Sequence, residues 1–280
     1  MIVIEVNIQT EDYFSIVGYI FSPKISNSKL VLINSATGVR QHIYFSFAKF
    51  LATNGFTVIT YDYRGIGLSK PAQMKGFKAS MRTWGSKDYK AITDFIKRNY
   101  PTHEKYVLGH SVGALILGMN EDSQIFKKIV FVGTQKAFVG NLSLRTRIEA
   151  YIGFGIAQPL TTKLLGYFPA HWFGLGESLP SGSAFDWRTL ILHKNSTNHL
   201  LQQVENFSEK LHQDVFIIRA EDDTWLTEKG VNTLLQDTFP NLKPKHRLVK
   251  TSESLKQKIG HINFFRSYNQ NLWNIVLNEL

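Results

Sequence analysis

Residues 105–118, Lys-Tyr-Val-Leu-Gly-His-Ser-Val-Gly-Ala-Leu-Ile-Leu-Gly, read as a strand that runs into a helix across a Gly-x-Ser-x-Gly turn. The apolar run 106–108 supplies the strand, and the small, apolar run 114–117 starts the helix. In that setting a glycine on either side of the serine allows a turn too tight for a side chain, and the turn pushes the serine out at the tip of the strand. Ser111 is the candidate nucleophile. Outside such a setting the same five residues would be an ordinary turn sequence.

The flanking sequence extends this unit into a sheet. Residues 2–8 and 13–21 alternate with period two and predict an antiparallel hairpin ended by Ser22-Pro23. Buried strands are predicted over 30–33, 56–61, 106–108 and 129–132, with helices over 41–53, stopped by Asn54-Gly55, and 82–99, stopped before Pro101. Such alternation predicts an α/β architecture with a mostly parallel central sheet covered by helices on both faces, because parallel neighbours require crossover connections. Ligands of these sheets sit at the carboxyl ends of the strands. After Thr134 the alternation stops. Residues 135–211, rich in glycine, aromatics and leucine and without strand signals, are expected to form a helical cap inserted into a core of 1–134 and 212–280. The sheet resumes at 215–218, followed by a helix over 227–235, a strand at 247–249 and a final helix from 264 onward.

The 280 residues, 43% hydrophobic and 19% charged, suffice for one large domain with an insertion. An aromatic share of 13% calls for an apolar pocket or lid. There are 32 basic and 22 acidic residues, a net charge of +10, but the charges are scattered. The loose cluster Lys243, Lys245, His246, Arg247 and Lys250 has no interleaved aromatics, which argues against a nucleic-acid partner and leaves a solvated basic face or an anion patch. The absence of cysteine excludes disulfides, thiolate metal sites and cysteine nucleophiles. The N-terminus has neither the basic nor the long apolar region of a signal peptide, and no uncharged apolar run reaches roughly 18 residues, so a cytoplasmic protein without a membrane span is expected.

A serine hydroxyl needs a base, and the base needs a carboxylate to orient it. After such a turn the chain order is serine, acid, histidine. Among nine histidines, His261 follows the last predicted strand in Ile259-Gly260-His261-Ile262-Asn263; His110, inside the turn, is expected to pack or to support the site from behind, and His42, His171 and His199 are lesser candidates. The acid should follow the resumed strand, where Asp222 and Asp223 both stand; with Ala220 in the glycine position of a strand-Gly-x-x-Asp pattern, Asp223 is favoured and Asp222 kept as the alternative. An oxyanion hole needs two backbone N–H groups. Val112 is one candidate donor, and Thr37, in the loop after the strand at 30–33, the other; an ordinary glycine-containing turn is the alternative there. Tyr61-Asp62-Tyr63-Arg64-Gly65-Ile66-Gly67-Leu68-Ser69 lacks the spacing of a phosphate loop and is expected to brace the Thr37 loop.

Together, GHSVG, YDYRGIGLS, AEDD and the late GH resemble an α/β-hydrolase over the whole chain. NSATGVRQHIYFSFA at 34–48, FKASMRTWG at 77–85, LLGYFP at 164–169, GLGESLPSG at 174–182 and IGHINFF at 259–265 resemble a bacterial group of α/β-hydrolases related to monoglyceride lipases and the serine aminopeptidase group. The resemblance implies Ser111 as nucleophile, Asp223 as acid and His261 as base. Two departures are Ser-Ala-Thr-Gly at 35–38 in place of His-Gly, and Ala220 in place of glycine.

The expected activity is therefore that of a serine hydrolase cleaving a carboxylic ester or related acyl compound through an acyl-enzyme, without metal or organic cofactor. A small-molecule substrate, apolar in part, is the expected partner. Phe154, Tyr167, Phe168 and Trp172, with Tyr151 and Phe173, are expected to line its pocket, at least in part, the alternative being that they pack only the core of the insertion itself. Rival readings are a thioesterase or acyltransferase on an acyl-CoA-like substrate, whose phosphates the basic surface would meet, and a binding protein that keeps the fold without turnover. An aminopeptidase is weaker, because no acidic pair in the cap stands ready for a free amino terminus.

Overall fold

Eight strands order themselves as β1-β2-β4-β3-β5-β6-β9-β10 in a computed structural model that describes all 280 residues. The strands are β1 (Ile2–Gln9), β2 (Ser15–Ser22), β3 (Lys29–Asn34), β4 (Thr57–Tyr61), β5 (Glu104–His110), β6 (Lys128–Val132), β9 (Asp214–Ala220) and β10 (Lys243–Val249). β1 pairs with β2 and β2 with β4 antiparallel; every other neighbouring pair is parallel.

Period-two geometry turns a continuous apolar run into two cores. Leu30 and Leu32 of β3, Val107 of β5, Ile129 and Phe131 of β6, and Val215 and Ile217 of β9 face one side, while Val31, Ile33, Tyr106, Leu108, Val130, Val132, Phe216 and Ile218 face the other. The first side is covered by α2 (Met81–Thr83) and α3 (Lys90–Asn99), joined through a wide turn at Trp84–Tyr89, and by α4 (Val112–Leu115). α9 (Glu228–Asp237) packs there too, through Val231 and Leu234. On the second side lie α1 (Phe45–Thr53) and the C-terminal segment that carries Phe264, Phe265 and Trp273. Each side chain so buried contributes about 1.5–3 kcal/mol relative to exposure.

Between β6 and β9 the chain leaves the sheet. α5 (Leu144–Ile152), a wide turn at Gly153–Ala157 and α6 (Gln158–Leu165) follow one another directly, and α7 (Ser181–Leu192) and α8 (Thr197–Leu201) lead back. Contrary to the expectation of a strand-free insertion, β7 (Tyr167–Phe168) and β8 (Leu179–Pro180) form a small antiparallel ribbon. Two residues per strand are too few for an alternation to show.

The expected final helix is also different. It resolves into 3-10 turns at Asn263–Phe265 and Ser267–Leu272 and a short α10 (Asn274–Leu277). Asn269 interrupts it at φ −106°, ψ 19°. Its buried side chain donates to the Asn263 and Lys258 carbonyls and accepts from the Ser254 hydroxyl, which competes with helical hydrogen bonding.

The chain passes from β3 to β4 on one side and returns to β5 on the other. The loops after β3 and β5 therefore diverge and leave a crevice at the carboxyl end of the sheet.

Candidate active site

Ser111 stands where β5 ends, at φ 53° and ψ −118°, a conformation that costs an L-residue on the order of 1–3 kcal/mol. Its N–H donates to the Val132 carbonyl at 3.0 Å, and its own carbonyl accepts from Ala114 N–H at 3.1 Å. Close approach explains the two flanking glycines. A Cβ on Gly109 would lie 2.6 Å from the Ala114 nitrogen, and one on Gly113 would lie 2.3 Å from the Asn34 carbonyl oxygen.

The loop after β3 is thus laid against the start of α4. The Asn34 amide donates to the Gly113 carbonyl at 3.1 Å and accepts from the Tyr61 hydroxyl at 2.9 Å. The 61–69 turn supports the loop as well: the Tyr63 hydroxyl donates to the Ser35 carbonyl at 3.2 Å, and Asp62 accepts from Gln41 N–H at 2.8 Å. Burial pushes the Asp62 carboxyl up, and the N–H groups of Gln41 and Leu68 oppose that shift. Ala36 N–H is taken by the Tyr44 hydroxyl at 3.0 Å. Thr37 N–H and Val112 N–H make no hydrogen bond within the chain, and both residues line the same cavity as Ser111.

Both aspartates reach the loop of His261 by different routes. Asp223 Oδ2 lies 2.7 Å from His261 Nδ1, and its Oδ1 accepts from Trp225 N–H at 3.0 Å. Asp222 instead takes the backbone, accepting from Ile259 N–H at 2.9 Å and Gly260 N–H at 2.8 Å. The alternative acid is thereby occupied with holding the loop, and the ring is left to Asp223. His261 Nε2 makes no hydrogen bond, and the ring shares the cavity with Ser111.

Of the two roles expected for His110, the structure shows the supporting one. Fully buried, it meets the Tyr44 hydroxyl with Nδ1 at 2.7 Å and the His261 carbonyl with Nε2 at 2.8 Å. The carbonyl can only accept, so Nε2 carries the proton, and the Tyr44 hydroxyl donates to Nδ1 while accepting from Ala36. One directed chain results, from the Thr37 loop through Tyr44 and His110 to the backbone of His261. Burial, reinforced by the adjacent His261, drives the His110 pKa well below the usual histidine value, so the ring stays neutral. Burial likewise pushes the Tyr44 phenol up.

A cavity of about 760 Å³ opens over Ser111 and His261. Its apolar wall comes from Leu115 of α4, Leu175, Trp187, Leu190 and Ile191 of the insertion, and Trp225 and Leu226 after β9. None of the aromatics expected to line it does so. Phe154 sits behind the wall, edge-on to Trp187 at 5.0 Å and to Trp225 at 6.4 Å. Phe168 is buried and stacks on Phe173 at 5.5 Å, Tyr167 belongs to the β7–β8 ribbon, and Tyr151 and Trp172 are exposed. The signal that was available and missed is Trp225, two residues beyond Asp223 and so bound to the acid loop.

Glu177, which no motif in the chain singles out, ties the insertion to the Thr37 loop. Its N–H donates to the Gly38 carbonyl at 2.8 Å, and its carboxylate holds Arg40, Lys70 at 2.8 Å and Gly67 N–H at 2.7 Å. Burial works against the charge, but Lys70, Gly67 N–H and Arg40 outweigh it and keep the carboxyl below its usual range.

Residues 26–141 match the family described as serine aminopeptidase, S33. Over 241 residues the chain is 23% identical to an acyl transferase of Photobacterium phosphoreum, covering 85% of this chain and 72% of that one. Among solved structures, an esterase of Pyrococcus furiosus superposes with a TM-score of 0.60 at 17% identity, covering 99% of this chain and 89% of the esterase. An esterase from Exiguobacterium antarcticum superposes with a TM-score of 0.64 at 14% identity, with 99% of both chains covered.

Proposed function

We propose that this chain, whose fold is that of the α/β-hydrolases, is a serine hydrolase that cleaves a carboxylic ester or related acyl compound through an acyl-enzyme. The observation that carries the reading is the 2.7 Å contact of Asp223 with Nδ1 of His261, a residue that lines the cavity in which Ser111 stands on its strained turn. In this reading His261 Nε2 takes the proton of Ser111 Oγ as Oγ bonds the acyl carbon, and Asp223 stabilises the imidazolium. The N–H groups of Thr37 and Val112 receive the oxyanion. The leaving group departs with the proton from His261; water, deprotonated by the same ring, then bonds the acyl carbon, the acyl–Oγ bond breaks, and His261 returns the proton to Ser111 Oγ. We take residues 135–211 as a cap that supplies one wall of the substrate cavity. The cysteine-free chain suits a reducing compartment, and we place the protein in the cytoplasm.

A fluorophosphonate probe tests the nucleophile. The wild type should label and Ser111→Ala should not, with turnover of p-nitrophenyl esters falling by several orders of magnitude. Labelling of the alanine variant, or a wild type that neither labels nor turns over any ester or thioester, rejects the reading. The similarity to an acyl transferase supports a second fate for the acyl-enzyme, transfer to an alcohol or thiol in place of water. Addition of a short alcohol would then divert product from acid to ester without changing the rate of acylation.

A further inference from the structure

The cavity over Ser111 is divided by polarity. Leu115 of α4, Trp187, Leu190 and Ile191 of α7, and Trp225 and Leu226 after β9 form most of its apolar wall, and no charged side chain lines it from those elements. Its charged lining comes from elsewhere: Arg40 and Lys70 from the loops after β3 and β4, Glu177 from the insertion, and Arg266 from the segment after His261. His42 and His171 stand on the same parts of the lining. A cavity so built suits a substrate that is apolar at one end and charged at the other.

The charged part is cationic. Glu177 is the single carboxylate on the lining, and it is shared by Arg40 and, at 2.8 Å, Lys70, while also accepting from Gly67 N–H. Arg266 is exposed, and its guanidinium has no hydrogen-bond or ion-pair partner in the chain; the Asn263 amide has none either. The carboxylates beneath the lining are occupied. Asp62 and Asp222 hold backbone N–H groups, and Asp223 holds His261. Three cations against one carboxylate leave two positive charges, which a phosphate monoester, close to a dianion near neutral pH, matches and a single carboxylate does not.

Position says which part of the substrate bears the charge. His261 hands its proton to the leaving group, so that group lies against the His261 ring. Asn263 and Arg266 stand on and just after the 3-10 turn Asn263–Phe265, which follows the ring directly. Phe265 packs edge-on against Tyr44 at 4.7 Å, which sets the segment carrying Arg40 and His42 beside them. Given the acyl-enzyme chemistry assigned to Ser111, on which the inference rests, we propose that the leaving group of the substrate carries a phosphate monoester. Arg266 and Asn263 receive it at the mouth of the cavity, Arg40 and Lys70 add to the attraction, and the acyl chain takes the apolar wall. The phosphate belongs to a phosphorylated alcohol released from an oxyester or to a phosphorylated thiol released from a thioester.

Paired substrates with one octanoyl chain test it: the esters of glycerol 3-phosphate and glycerol, and the thioesters of 4′-phosphopantetheine and pantetheine. The wild type should favour the phosphorylated member of at least one pair by about tenfold or more in kcat/KM, chiefly through KM, the scale of one hydrogen bond to a charged group. Added salt should shrink that ratio, and the pair with the larger ratio names the source of the phosphate. Arg266→Gln should lower the ratio by about tenfold. Arg266→Lys, which keeps the charge and loses the fork, should recover part of it. Asn263→Ala provides a second variant should the first fail to fold, and should lower the ratio in the same direction. A wild type that hydrolyses the neutral substrates and prefers neither phosphorylated partner, or a ratio unchanged in folded Arg266→Gln, overturns the proposal and leaves the hydrolase reading standing. Equal preference for the octanoyl ester of glycerate, whose charge is a carboxylate, overturns the assignment to phosphate. A wild type that turns over none of these substrates and takes no fluorophosphonate label rejects the hydrolase reading, and the proposal with it.

Discussion

Two adjacent carboxylates divide the work around His261: Asp223 contacts the ring and Asp222 the two N–H groups that precede it. Under the proposed mechanism Asp223→Asn should lower kcat by about 10⁴, the loss expected when the triad acid no longer fixes the tautomer. Asp222→Asn should lower it by no more than about tenfold, because one amide can still accept one of the two N–H bonds. Steady-state rates on one ester rank the two, and the opposite order would give the acid role to Asp222. His110 has a different signature. Its folded pKa is depressed, so the stability of its neutral form is present above the unfolded value near 6.5 and is lost as pH falls towards the folded pKa. The thermal midpoint should therefore decline below about pH 6.5. His110→Gln, which cannot titrate, should flatten that acid limb; an unchanged limb would mean that other groups govern it.

At the level of elements, the loop after β3 is held from three directions: by α4 through Asn34 and Gly113, by the 61–69 turn through Tyr63, and by the insertion through Glu177. The hold by the insertion combines the Glu177 N–H bond to the Gly38 carbonyl with the charged contacts of its carboxylate to Arg40 and Lys70, and only the latter depend on charge. Glu177→Gln should loosen Arg40 and Lys70 and let the loop shift, which would displace the proposed Thr37 donor. A displacement of about 1 Å at such a site costs on the order of a hundredfold in rate. The expected signature is a fall in kcat with KM little changed. A KM increase alone would make Glu177 a substrate contact and leave the loop unaffected. Asn269 teaches the converse at the C-terminus, where one buried side-chain amide turns an apolar, helix-like stretch into successive short turns.

Across the whole molecule the cavity is a joint product of core and insertion. Ser111, Val112 and His261 come from the sheet side; Leu175, Trp187, Leu190 and Ile191 come from the insertion. Trp187 is the largest side chain on the insertion wall, backed by Phe154. Trp187→Ala should open space above the nucleophile and raise kcat/KM for long-chain relative to short-chain esters by on the order of tenfold, the scale set by burying one or two further methylene groups. A panel of p-nitrophenyl esters measures it, and an unaltered chain-length profile would place the acyl group elsewhere in the cavity.

What could be read from residue order alone is what local chemistry dictates. The run 105–118 specifies its turn because glycine is required on both sides by close approach, and the strands at 30–33 and 129–132 announce themselves because period two needs no knowledge of partners. The parallel sheet followed from the alternation of strands and helices. The order of serine, aspartate and histidine after successive strands was equally visible, since it is a property of the chain and not of its packing. Side-chain direction is not such a property. Asp222 and Asp223 are neighbours, and which of them meets an imidazole 38 residues away follows from the path of the turn after β9. The same holds for Phe154, which is aromatic and in the insertion yet faces the back of the wall. Glu177 joins Arg40 across 137 residues, and His110 joins His261 across 151. Contacts of that separation leave no periodic trace in a sequence, because they are selected by how two packed surfaces meet and not by the conformational preferences of the residues that make them.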